Sequence, residues 1–141
     1  MNAPSPRHLV DAGPLVAAYL PRDIHHAWSR AAMQGAGGVL YTTETILAEA
    51  AHFLKPAPRS LQALITTVHS GRIRLLSIFP THLPRIAELI RDYPERADLA
   101  DASLVVLSEL HPRATLLTID RRDFSVYRRA DGKPVPCLFP D

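Results

Sequence analysis

At 141 residues and 15.6 kDa the chain is sized for one domain, 1–141, large enough to bury a continuous core. It is 47% hydrophobic and 21% charged. No apolar run approaches the roughly 20 residues of a bilayer span, and MNAPSPRHLV lacks the apolar region of a secretory signal. The net charge of +2 includes fourteen arginines but only two lysines, and the lone Cys137 has no internal disulfide partner, which fits a reducing cytoplasm.

In chain order, residues 8–11 read as a short strand, and Pro14 stands where a helix begins. Residues 24–34 read as a helix ended by GAGG at 35–38. VLYT at 39–42 is a second strand, followed by the helix TETILAEAAHFL with Thr42 or Thr43 as its cap. A helix over 60–70 closes at Gly71, IRLLSI at 73–78 is a strand, and residues 83–93 are helical. ADLADASLVVLSEL at 97–110 is a strongly apolar helix, ATLLTID at 114–120 a strand, and VPCLF a fifth. This alternation predicts an α/β fold with a central parallel sheet of about five strands and helices on both faces.

In such a sheet, ligands bind beyond the carboxyl ends of the strands. HLVD ends on Asp11 and LLTID on Asp120, so parallel strands bring both carboxylates to one edge. Each alone is explained as a helix cap or turn residue; their matching contexts favour a shared site. On the helix over 98–110, at about 100° per residue, Asp98, Asp101, Val105 and Ser108 form one stripe. Asp98 is explained by capping, whereas Asp101 lies further into an apolar helix. In TETILAEAAHFL the apolar stripe runs through Ile46, Leu47, Ala50, Phe53 and Leu54. Glu44 and Glu49 flank it on opposite sides, so the wheel does not choose between them. Glu44 has a first-turn role beside the helix dipole, and Glu49 has none.

Converging carboxylates with few cations nearby call for a hard divalent ion, Mg²⁺ or Mn²⁺. Zinc is disfavoured because no HExxH or CxxC spacing occurs. A carboxylate-held ion activates water against phosphate esters. The arginine bias suits a phosphate-bearing partner, although genomic codon bias explains it equally well.

With these features the chain resembles PIN domains, especially the small VapC-type toxins of bacterial toxin–antitoxin pairs. The resemblance runs through LVDAGPLVA, TETILAEAAHFL, DLADASLVVLSEL and LLTIDRRDFSVYR. It implies an Mg²⁺- or Mn²⁺-dependent endoribonuclease, with Asp11, Glu49, Asp101 and Asp120 as its four acids. A shifted register would put Asp98 in the third place. Thr118, in the Thr-x-Asp pattern, would orient ligands or water, and Arg121 and Arg122, with Arg128 and Arg129, would contact RNA phosphates. It further implies a small antitoxin partner, a homodimer and a cytoplasmic location. The competing expectations are a PIN-type RNA-processing nuclease outside any toxin pair, and a non-catalytic interaction domain.

Overall fold

The computed structural model describes residues 5–141. Five short strands form one sheet: β1 (His8–Val10), β2 (Leu40–Thr42), β3 (Ile73–Leu75), β4 (Thr115–Leu117) and β5 (Cys137–Leu138). Their order is β3-β2-β1-β4-β5 and every pairing is parallel. The first two strands are joined by α1 (Ala12–Ala18) and α2 (His26–Gly35), and β2 is joined to β3 by α3 (Glu44–Leu54) and α4 (Pro58–His69). The return from β3 to β4 passes through α5 (Phe79–Asp92) and α6 (Leu99–Leu110), and α7 (Arg121–Phe124) follows β4. The direction of winding reverses at β1. Because parallel crossovers are right-handed, the reversal puts α5 and α6 on the face opposite α1 to α4. The expected α/β class with a five-stranded parallel sheet is the one observed.

The strands read as apolar runs because both sheet faces are covered. Leu9, Val10, Leu40, Ile73, Leu116 and Leu117 are all buried. The central helix α6 is buried from Ala102 through Ser108, which explains why its sequence is apolar around most of its circumference. Its two buried serines are accommodated by hydrogen bonding. Ser103 Oγ donates to the Ala100 carbonyl and lies 2.9 Å from Thr43 Oγ1, joining α6 to the start of α3.

The strand predicted over 114–120 ends at Leu117, and three further expectations differ from the structure. α5 begins at Phe79, about a turn before the predicted residue 83, and contains Pro84 internally. Pro80 already occupies the first turn, where proline costs little. The strand predicted over 73–78 keeps ladder geometry only to Leu75, with one further bond from the Leu76 N–H to the Thr42 carbonyl. Phe53, counted in the apolar stripe of α3, is 61% exposed. The core takes Ile46, Ala50 and Leu54 from that helix and leaves the phenyl ring outside.

Candidate active site

Asp11 follows the last residue of β1 and is tied to the neighbouring strand, its N–H donating to the Leu117 carbonyl at 3.0 Å. Its carboxylate caps α1: Oδ1 accepts from the Ala12 N–H at 2.7 Å, and Oδ2 accepts from Thr118 Oγ1 at 2.7 Å. Gly13, next in the helix, sits against Ile119; a Cβ there would approach Ile119 Cδ1 to 3.3 Å. Thr118 is buried and faces both acids, because its oxygen also accepts from the Asp120 N–H at 3.1 Å. One hydroxyl therefore connects the carboxylate beyond β1 to the backbone beyond β4.

Three further acids arrive on helix starts. Asp120 caps α7, Oδ1 accepting from the Asp123 N–H at 2.9 Å. Asp98 is the cap of α6, Oδ1 accepting from the Asp101 N–H at 2.8 Å, and is itself exposed. Asp101 is half-buried, and its Oδ2 accepts from the Tyr127 hydroxyl at 2.6 Å. Asp11, Glu49, Asp98, Asp101 and Asp120 all line one cleft of about 460 Å³ at the carboxyl edge of the sheet. Glu44 is exposed and is not among the residues lining it, which separates two glutamates that the helical wheel left equivalent.

The cleft also contains residues the sequence reading passed over. Asp23 and Asp123 line it, with His25, Arg96 and the exposed ring of Phe53. Asp123 stands one turn after Asp120, and single carboxylate oxygens of Asp101, Asp120 and Asp123 lie within 4.8 Å of one another. The three-residue spacing in DRRD was the available signal. Arg96 pairs with Asp123 at 2.9 Å; nothing in its sequence context marked it.

Seven of the chain's fourteen acids but only one of its sixteen lysines and arginines line this cleft. The rest of the chain is left with seven acids against fifteen cations. Three of the four arginines expected at RNA are occupied elsewhere. Arg121 donates to the Pro140 carbonyl at 2.9 Å and covers the Phe139 ring, and Arg128 donates to the Ser125, Val126 and Tyr127 carbonyls. Arg129 donates to the Ser108 and Pro112 carbonyls, while Arg122 is exposed on α7. None of the four is among the residues lining the cleft.

Ionisation of the acids is opposed by their surroundings. Burial, reinforced by Asp98, pushes Asp101 up to about 8 against the pull of the Tyr127 hydroxyl. Burial likewise raises Asp11 to about 6, despite its hydrogen bonds from Thr118 and Ala12 and with Glu49 and Asp120 adding to the rise. Asp120 and Glu49 are also raised, first by burial and then by neighbouring acids. The donor set is all carboxylate oxygen, and its mutual repulsion would be relieved by a hard cation. These residues fit a divalent ion, and Asp101, Asp120 and Asp123 are close enough together to share one.

The two readings of Asp98 separate by substitution. Asn caps a helix as well as Asp does, whereas Ala costs about 1 kcal/mol. A cap role therefore predicts that Asp98→Asn leaves the melting temperature and Mn²⁺ affinity nearly unchanged while Asp98→Ala lowers the former. A large loss of Mn²⁺ affinity in Asp98→Asn would make it a ligand.

A five-stranded parallel sheet in this order, with acids gathered beyond its carboxyl edge, is a PIN-like fold. Among solved structures, it is similar to VapC20 of Mycobacterium tuberculosis, described as a toxin that cleaves the sarcin–ricin loop. The TM-score is 0.68 at 16% identity, over 77% of this chain and 86% of that one. At that identity the likeness is one of fold. No family model and no curated protein sequence matches the chain.

Proposed function

We propose that the chain is a divalent-metal-dependent endoribonuclease acting as the toxin of a toxin–antitoxin pair. The observation that carries this reading is the gathering of Asp11, Glu49, Asp101 and Asp120, joined by Asp123, in one cleft. The PIN-like fold shared with VapC20 supports it. Asp11, Asp101 and Asp120 would hold Mg²⁺ or Mn²⁺ directly or through water, with Glu49 and Asp123 completing the set. When bound, such an ion lowers the pKa of water and stabilises negative charge on a phosphate.

The chain's own groups prepare that site. Thr118 holds Asp11 at 2.7 Å, and α7 holds Asp120 by the Asp123 N–H. With half of the acids in the cleft, the basic surplus over the remaining surface supplies sequence-independent attraction for RNA phosphates. RNA is thus the substrate in this reading, and the partners are a small antitoxin covering the acids and a second copy of the chain. No helix among the described residues is long and apolar enough to cross a membrane; a cytoplasmic protein is proposed.

The test is incubation with structured RNA in Mg²⁺, in EDTA, and with an Asp101→Asn variant in Mg²⁺. Cleavage is expected in the first sample alone; equal cleavage in all three would assign it to a contaminant. Induced expression separates a toxin from an RNA-processing enzyme. Growth should stop with the wild type and continue with Asp101→Asn, and unimpeded growth with both removes the toxin assignment.

A further inference from the structure

Tyr127 is the bulkiest of the fully buried side chains, with no exposed surface. Its ring meets Tyr93 and Phe124 edge-to-face, with centroids 5.2 and 5.1 Å away and interplanar angles of 82°. The Tyr93 hydroxyl in turn accepts from the Arg128 N–H at 3.0 Å, fastening the backbone directly after Tyr127. This aromatic cluster immobilises the ring from both sides. Phenylalanine would fill the same space, so packing alone gives no reason for a hydroxyl. That hydroxyl donates to Asp101 Oδ2 at 2.6 Å, a short hydrogen bond.

We propose that Tyr127 is a positioning residue for the cation site, locking the carboxylate of Asp101 where its oxygens lie near those of Asp120 and Asp123. The inference rests on the metal-dependent reading above. Asp120 is fixed by a donor from adjacent chain, the Asp123 N–H, and Asp11 by the adjacent Ala12 N–H together with the Thr118 hydroxyl. Asp101 is fixed instead by a side chain 26 residues away, on the segment after α7. The hydroxyl thereby ties the helix carrying Asp101 to the segment following Asp120 and Asp123. Freed of it, the Asp101 side chain regains its rotamers, and ordering them again would oppose cation binding. Partners that orient a metal-binding residue typically contribute 10–100-fold to affinity.

The experiment is Mn²⁺ titration by calorimetry on the wild type, Tyr127→Phe, Asp101→Asn and the double variant, with melting temperatures in EDTA. Tyr127→Phe is expected to bind Mn²⁺ about 10–100-fold more weakly while melting within a few degrees of the wild type in EDTA. In the Asp101→Asn background the same exchange should change Mn²⁺ affinity no further, because the partner carboxylate is gone. Equal Mn²⁺ affinity for the wild type and Tyr127→Phe overturns the inference, as does an equal loss in both backgrounds. A wild-type chain that binds no Mn²⁺ removes the metal reading itself, and this inference with it.

Discussion

Exchange of Asp11 for Asn is expected to leave a folded protein that cleaves RNA slower by about 10³-fold or more. A bound divalent ion supplies several kcal/mol of transition-state stabilisation, and each 1.4 kcal/mol is tenfold in rate. The fold should tolerate the exchange. An Asn oxygen can keep the bond from the Ala12 N–H, and the Thr118 hydroxyl can turn to accept from the new amide. The change also removes a carboxylate that burial disfavours in its ionised form. Asp11→Asn is therefore expected to melt no lower than the wild type in EDTA at pH 8. Single-turnover cleavage and thermal melting on one preparation check both halves. Wild-type cleavage by a folded Asn variant would remove Asp11 from the site.

Metal-free protein is expected to lose stability as pH rises from 4 to 8, and divalent ions are expected to reverse much of that loss. Asp11 and Asp101 have an ordinary value of 3.8, and the folded chain holds their protons more tightly. Their contribution is fully present below about 4. It fades as pH passes through about 6 for Asp11 and about 8 for Asp101. Melting in EDTA should fall by on the order of 5–10 °C across this range. Cations prefer ionised carboxylates, so stabilisation by Mn²⁺ should grow over the same interval. At 100 times its dissociation constant the ion adds about 2.7 kcal/mol. A melting temperature that rises steadily to pH 8 in EDTA would contradict this charge arrangement.

The fold and the candidate acids differ in how far local sequence reveals them. Element type follows from alternating patterns and short connections, so β1, β2 and the apolar α6 were legible to within a residue or two, whereas β4 ends three residues before the predicted 120. Asp11 and Asp120 were legible because a carboxylate directly after an apolar run is conspicuous. The wheel did not separate Glu49 from Glu44, because it reports angle but not what stands opposite; the first-turn position of Glu44 and the family resemblance were what favoured Glu49. Phe53 misled for the same reason: hydrophobicity at the right spacing is necessary for burial but does not cause it. Asp123 left a trace in the spacing DRRD. Tyr127 and Arg96 left none, since their contacts reach Asp101, 26 residues away, and Asp123, 27 residues away. The α5 boundary moved because two prolines compete for one first turn, and local rules do not rank them.

The brevity of the strands has a consequence for the shape of the molecule. Three residues of β-strand extend about 10 Å, whereas the twelve residues of α6 extend about 18 Å. The strands are thus shorter than α6, which brings Asp98 and Asp101 to the cleft. Asp11 and Asp120, close beyond the ends of β1 and β4, form a floor to the acidic hollow, with residues of α1, α3 and α6 around it. Two more residues in β1 would raise that floor by about 7 Å and close the hollow.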